Sequence, residues 1–116
     1  MGDYQELRVW AAAVEMAVAC HSLTKQFPKS ERFELSSQLR RASVSVAANL
    51  AEGAGRKSDR DFARFIRIAR GSANEVETLL ILANRFGYVA EERSKELQRE
   101  LKAVKRQLAG LERQLH

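Results

Sequence analysis

The sequence predicts an all-α fold, an antiparallel up-down-up-down four-helix bundle. The composition is the first reason: one proline and six glycines among 116 residues favour a few long helices over a β domain with many turns. The second reason is that apolar residues recur at three- and four-residue steps in four successive segments. The length suits a single domain, residues 1–116, with one hydrophobic core.

The first helix is predicted from about Asp3 to Gln26, and Pro28 ends it. Cys20 is interpreted as a buried, reduced structural thiol and His21 as a core histidine. The other faces of the helix carry little charge, so we expect it to contact more than one neighbour and to contribute to self-association. The predicted core face consists of Leu7, Trp10, Val14, Ala17, Val18 and His21.

The second helix is predicted from about Ser30, its N-cap, to Ala54. The Gly53-Ala54-Gly55 segment then supplies a break and a C-terminal cap. Most residues between Ala42 and Gly55 are small, which allows close approach of another helix. The predicted core face consists of Leu35, Leu39, Ala42, Val46, Leu50 and Gly53.

The third helix is predicted to start at Ser58, with Asp59 and Asp61 in its first turn, where the helix dipole favours negative charge. It ends near Phe86-Gly87. Its buried positions are Phe62, Phe65, Ile66, Ala69, Ala73, Val76, Leu79, Leu80 and Ala83.

The fourth helix is predicted from about Glu91 onward. Its leucines alternate by four and three residues, which is typical of the seam of a bundle or coiled coil. Short connections between four long helices favour an antiparallel arrangement. The seam consists of Leu97, Leu101, Val104, Leu108, Leu111 and Leu115.

The basic charge is concentrated between residues 39 and 70. Eight basic residues against three acidic ones leave +5 there, which equals the net charge of the whole chain. Such a patch is typical of a protein that binds a polyanion, and Lys and Arg bind nucleic-acid phosphates without reading sequence. The candidate nucleic-acid-binding residues are Arg40, Arg41, Arg56, Lys57, Arg60, Arg64, Arg67 and Arg70.

Two other interpretations of these residues stay open. The third-helix arginines could form an ordinary solvated face with ion pairs; only Arg64 has a carboxylate, Asp61, three or four residues away. Arg40, Arg41 and Arg56 could instead belong to an Arg-Glu-Asn network that joins the second and third helices or two subunits. The residues assigned to this structural network are Asn49, Glu52, Gly53, Gly55, Glu75 and Glu77.

No catalytic, metal or cofactor-binding residues are predicted. A di-iron bundle needs Glu-x-x-His motifs, whereas the histidines here are His21 and His116, neither of them in that motif. A Ser-His-Asp site lacks a plausible base, and Gly53 to Ser58 does not have the spacing of a P-loop. We therefore expect a protein that is not an enzyme and that needs no cofactor.

Seven short segments carry a family resemblance that covers nearly the whole chain. They are Tyr4-x-x-Leu7-x-Val9-Trp10, Phe27-Pro28, Leu39-Arg40-Arg41-Ala42, Asn49-x-Ala51-Glu52-Gly53-x-Gly55-Arg56, Asp61-Phe62-x-x-Phe65, Gly71-Ser72-x-x-Glu75-x-Glu77-Thr78 and Gly87-Tyr88. With these segments the sequence resembles the bacterial four-helix-bundle family named after the protein encoded in intervening sequences of 23S ribosomal RNA genes. The resemblance implies a ring-like homopentamer. It also implies kinship with the accessory protein of diversity-generating retroelements, a basic pentamer that partners a reverse transcriptase and nucleic acid.

The expected function is that of a non-enzymatic oligomeric accessory or scaffold protein that binds RNA or DNA, and with it a nucleic-acid enzyme, through the basic patch. The alternative is a ring that binds an acidic protein partner without nucleic acid. A cytoplasmic location is expected, because the polar start of the sequence is unlike a signal peptide and no apolar run is long enough to span a membrane. Gly2 is discounted as a myristoylation site because Glu6 replaces the required Ser or Thr.

Overall fold

The computed structural model describes residues 3–115, which form four α-helices and no strand. Short 3-10 turns precede the first and second of these helices, at Tyr4–Glu6 and Lys29–Glu31. The prediction of an all-α fold is confirmed. The helices are α1 (Arg8–Thr24), α2 (Leu35–Ala54), α3 (Asp59–Arg85) and α4 (Glu91–Arg113).

Contacts between successive helices show that they are antiparallel. Arg70 of α3 contacts Glu112 of α4, whereas Glu77, farther along α3, contacts Lys105, nearer the start of α4. Between α2 and α3, the late residue Gly53 contacts the early Phe65, and the earlier Ser45 contacts the later Ser72. Between α1 and α2, Thr24 likewise contacts Arg40, whereas the earlier Cys20 contacts the later Ser43. Since α1 also contacts α4, the four helices enclose one core.

The core face of α1 differs from the predicted one. Its buried residues are Val9, Ala13, Met16, Cys20, Leu23 and Thr24. The predicted face is only half-buried or exposed, and His21 is exposed rather than a core histidine. The prediction failed because α1 is apolar around most of its circumference, so periodicity alone does not select the face. Cys20 is buried as predicted, and burial raises the pKa of its thiol to about 11.

The start of α2 also differs from the prediction. Ser30 lies in the 3-10 turn, and α2 begins five residues later at Leu35. Glu31 takes the capping role: its carboxylate accepts hydrogen bonds from the Leu35 N–H at 3.4 Å and from the Tyr88 hydroxyl at 2.8 Å. One side chain thus fixes the start of α2 and joins it to the segment after α3.

The predicted limits of α3 and α4 are confirmed. The Ser58 hydroxyl accepts a hydrogen bond from the Asp61 N–H at 3.1 Å, which caps α3, and Gly87 follows α3 with a left-handed φ of 84°. The predicted α3 core positions are all buried. In the α4 seam, the positions from Leu97 to Leu108 are buried, whereas Leu111 and Leu115 are only partly buried.

The crossing of α2 and α3 depends on Gly53. A Cβ atom at this position would lie 2.6 Å from the Cβ of Phe65 and 2.9 Å from the Phe62 ring. No side chain fits there without displacement of α3. The small residues of α2 therefore permit close helix contact, as predicted, and they place the first half of α3 against the end of α2.

Candidate nucleic-acid interface

The first half of α3 carries four arginines on its outward side, Arg60, Arg64, Arg67 and Arg70, which we call the arginine stripe. All four are exposed, because the opposite face of α3 supplies the core. Arg64 donates from Nε to Asp61 Oδ1 at 2.9 Å within the first turns of the helix. This is the ion pair that the sequence spacing indicated.

Arg67 and Arg70 hold a carboxylate from another helix. Their Nη1 atoms donate to the two oxygens of Glu112 in α4, at 3.2 Å and 2.8 Å respectively. The hydrogen bond from Arg70 is the main reason why the pKa of Glu112 is lowered, although partial burial opposes the shift. The ion-pair interpretation thus describes these two arginines, with a partner that local spacing did not show.

Phe65 lies beneath the start of the stripe. The guanidinium of Arg64 lies 4.4 Å from the centre of its ring, and that of Arg56 lies 4.8 Å from it, which are cation-π distances. Arg56 also binds Glu52 at 2.6 Å. Phe65 was predicted only as a core residue, and no sequence pattern indicated that Arg56, nine positions earlier, would reach its ring. Because two cations lie over the ring, it is not an open platform for base stacking.

Arg60 and Lys57 are the freest cations of this region. Both are exposed, and within residues 3–115 neither side chain has a hydrogen bond, ion pair or ring contact. Arg60 borders a shallow depression together with Ser58, Asp61, Arg64 and Arg67. A phosphate at this depression would contact the guanidinium of Arg60 and those of Arg64 and Arg67, which have further N–H donors besides the ones in their ion pairs.

Arg40 and Arg41 do not join the arginine stripe. Arg40 is half-buried and donates from Nε to Thr24 Oγ1 at 2.8 Å, which turns it toward α1. Arg41 lines a separate groove between α2 and α3, where Glu75 also lies. Glu75 follows the stripe by five residues, roughly 8 Å along the helix axis. The eight predicted basic residues therefore do not form one surface.

The local charge of the stripe is smaller than the sequence suggested. Arg56, Lys57 and the four stripe arginines are six cations, and Glu52, Asp59, Asp61 and Glu112 are four carboxylates, which leaves a net charge of +2. Glu112 is far away in the sequence and enters the region only through the fold. The surface stays basic, but moderately so.

Among residues 3–115 of one copy, no Arg-Glu-Asn network joins α2 and α3; a network between two subunits stays a prediction. Asn49 donates to the carbonyl and the hydroxyl of Ser45 in its own helix, and a Ser45–Ser72 hydroxyl pair at 2.9 Å joins the two helices instead. Glu77 turns away from α2 and binds Lys105 of α4 at 3.2 Å. Glu75 is exposed and has no hydrogen-bond or ion-pair partner among residues 3–115. Of the predicted glycines, Gly53 permits the helix crossing and Gly55 is the C-cap of α2.

An apolar groove lies on the other side of the molecule, between α1 and α2. It encloses about 520 Å³ and has Val18 and Val44 on its walls, each 56% exposed. The ring of Tyr4 meets that of Trp10 edge-on at its N-terminal end, and His21 lies at the other end. We call this feature the α1–α2 groove; its lining is completed by Val14, Ala17, Ser22, Ala47, Ala48 and Ala51.

The described residues show no cluster of three or more His, Cys, Asp or Glu side chains that could hold a metal ion. Between residues 3 and 115, no helix is both long and apolar enough to cross a membrane. The residues Gly2 and His116 lie outside the described part of the chain.

The fold and the two surfaces define a class of small four-helix proteins with a basic stripe and an apolar groove. The chain belongs to the family of 23S rRNA-intervening sequence proteins, which it matches over residues 5–110. It is similar to a crystal structure of a protein with unknown function from the S23 ribosomal protein family of Bacteroides thetaiotaomicron, with 28% identity and a TM-score of 0.83. That match covers 90% of this chain and 97% of the other. No curated protein gives a significant match.

Proposed function

We propose that this protein is a non-enzymatic, oligomeric accessory or scaffold protein that binds nucleic-acid phosphates through the arginine stripe. The observation that carries the proposal is the position of Arg60 and Lys57, two exposed cations that have no partner among residues 3–115 and lie beside three further arginines. RNA or DNA is the proposed ligand, and a nucleic-acid enzyme in the cytoplasm is the proposed protein partner.

The existing ion pairs do not block this role. In the pairs with Glu112, Arg67 and Arg70 each use one nitrogen, Nη1, whereas a guanidinium has five N–H donors. Exposed ion pairs are worth at most about 1 kcal/mol, so a polyanion can also displace the carboxylate. Binding of this kind reads phosphates and gives little sequence preference.

Self-association is the second part of the proposal. The α1–α2 groove leaves large apolar side chains exposed, and monomeric proteins seldom leave such a patch uncovered. A homopentamer is the state that we propose on the basis of the family resemblance. Each subunit contributes a stripe of only +2, but several stripes on one assembly bind a long polyanion with an increased overall affinity.

An acidic protein is the alternative partner. The specific observation in its favour is Glu112, because Arg67 and Arg70 already bind a carboxylate there. An acidic side chain from a partner could take the same place. Both alternatives predict salt sensitivity, so the assay must contain nucleic acid as the only polyanion.

Retention of labelled duplex DNA and RNA at about 50 mM salt tests the proposal. We expect binding that weakens steeply toward about 200 mM salt, and a double variant Arg60→Ala/Arg64→Ala that binds several-fold less tightly. Arg99→Ala/Arg106→Ala is the matched control, since it removes two exposed arginines of α4 that lie outside the stripe. No retention of either nucleic acid by the wild-type protein, or equal loss in both double variants, would contradict the role of the stripe.

A further inference from the structure

The outward side of α3 also carries exposed apolar residues; Ile68 lies within the arginine stripe, and the others lie beyond it. Ile68, Leu82 and Phe86 are 41%, 38% and 54% exposed, and they are spaced so that they lie on one side of the helix. Gly71 and Glu75 lie between them on the same side. We call these five residues the α3 ridge. It is the second exposed apolar surface of the described chain, apart from the α1–α2 groove.

The fold of one copy does not explain why residue 71 is a glycine. It lies in the middle of the longest described helix, where glycine is less favourable than alanine. A Cβ atom there would meet nothing within 4 Å, and the backbone does not have a positive φ. Neither a close contact nor a special backbone conformation within the described residues requires this glycine. Close approach of another molecule to α3 at this position would require a glycine.

The ridge and the groove are both elongated along their helices and largely apolar. The ridge presents Ile68, Leu82 and Phe86, with Gly71 and Glu75 between them, and it extends roughly 27 Å from Ile68 to Phe86. The groove has a floor of alanines between valine walls, and its α1 side extends roughly 17 Å from Trp10 to His21. No Asp, Glu, Lys or Arg residue lines the groove, so a basic protein meets little repulsion there.

The two surfaces face different directions. In the described bundle α1 contacts α2 and α4 but not α3, so α1 and α3 are diagonal neighbours. A groove between α1 and α2 therefore does not open on the side where α3 carries its ridge. A contact between the ridge of one copy and the groove of the next is head-to-tail, and repetition of such a contact closes a ring or builds a chain.

We infer that the α3 ridge of one copy of this protein docks into the α1–α2 groove of the next copy. The inference rests on the self-association proposed above and names the two faces that meet. It gives Gly71 a role, because a glycine in the ridge lets the backbone of α3 approach the small residues of the groove.

The test uses one charged substitution in each face of the full-length protein. Val44→Glu damages the groove and leaves the ridge intact; Leu82→Glu does the reverse. Both side chains are exposed in one copy, so each variant should keep its helix content by circular dichroism. Phe33→Glu is the control, because Phe33 is 80% exposed but lies in neither face. Mass is measured by light scattering.

We expect an oligomeric wild type and control, and a monomer for each of the two face variants. An equimolar mixture of the two variants should give a dimer and nothing larger, because one intact groove and one intact ridge remain. A mixture that stays monomeric, or a Leu82→Glu variant with wild-type mass, would overturn the pairing of these faces while self-association stands. A monomeric wild type would instead refute the proposed self-association, and this inference with it. If Val44→Glu loses helix content, Val18→Ser replaces it as the groove variant, and Phe86→Ser likewise replaces Leu82→Glu as the ridge variant. The expected and contrary outcomes stay the same.

Discussion

The two halves of the outward side of α3 differ in how many of their side chains find partners within one copy of the chain. In the first half, Arg64, Arg67 and Arg70 have carboxylate partners at 2.8–3.2 Å. In the second half, Leu82 and Phe86 stay 38% and 54% exposed, although the Phe86 ring also contacts that of Tyr88. Most arginines of the first half are thus paired with carboxylates within one copy, whereas the apolar side chains of the second half stay partly exposed to solvent. The self-association that we propose would account for the exposed apolar half of this side, which the charges do not explain.

Two glycines show the same contrast between the halves. Gly53 lies under the first half, pressed against Phe65, and its lack of a side chain is needed for the fold. Gly71 lies at the start of the second half, in open space. Alanine at these positions should therefore have opposite effects on stability.

Gly53→Ala is the substitution with the largest expected effect. Its methyl group would meet the Phe65 Cβ at 2.6 Å, and a Cβ cannot rotate away. Such overpacking costs about 1–3 kcal/mol, which exceeds the gain in helix propensity. Denaturant unfolding should show this loss, and the melting temperature should fall by about 5 °C for each kcal/mol. An unchanged unfolding free energy would show that α2 and α3 can separate without cost. Gly55→Ala is the control, since its nearest neighbouring atom would be 3.6 Å away.

Gly71→Ala should act in the opposite direction. In a monomeric Leu82→Glu background we expect the unfolding free energy to rise by about 0.5–1 kcal/mol, because alanine favours the helix and meets no neighbour. In the otherwise unchanged protein the same substitution should reduce the oligomeric mass at low concentration, since the helix can approach less closely. If it strengthens both the fold and the assembly, Gly71 is not at the contact.

The sequence was sufficient for those parts of the fold that local chemistry decides. Ser58 with Asp59 and Asp61 marked the start of α3, and helical spacing selected the buried positions of α3 and most of the α4 seam. In α1 apolar residues occur on nearly all sides, so the choice of core face depended on the neighbouring helices. All residues of the predicted face except Leu7 line the α1–α2 groove. The start of α2 was missed because Glu31 caps it from outside the helix.

The candidate site was less predictable than the fold. The position of the stripe followed from helical spacing, but its partners did not, because Glu112 follows Arg70 by 42 positions. Likewise, Arg40 and Glu77 have the right charges for a network, but their side chains turn to α1 and α4. Side-chain pairing across helices depends on rotation of each helix about its axis, which composition and spacing do not fix.

Glu112→Gln tests how far the first half of α3 is neutralised. It removes the carboxylate shared by Arg67 and Arg70, so we expect the unfolding free energy to fall by at most about 1 kcal/mol. Binding to duplex DNA at about 50 mM salt should tighten several-fold, with a slope against salt steeper by roughly one phosphate contact. Glu100→Gln is the control, because it makes the same charge change at an exposed position of α4. Equal effects of the two substitutions would mean that only net charge matters.

The smallest expected effect is the pH dependence of the Glu112 ion pairs. Hydrogen bonds from Arg70 and Arg67 hold the pKa of Glu112 below its ordinary value of 4.5, so the ionised form stabilises the folded state. For a carboxyl with a lowered pKa, this contribution is complete above the unfolded value and is lost as the pH falls through the folded value. The difference in unfolding free energy between wild type and Glu112→Gln should thus be constant above about pH 5 and shrink below about pH 4.5. A difference that persists unchanged to about pH 3 would show that Arg67 and Arg70 do not depend on the charge of Glu112. In that case the first half of α3 would be less neutralised than its geometry indicates.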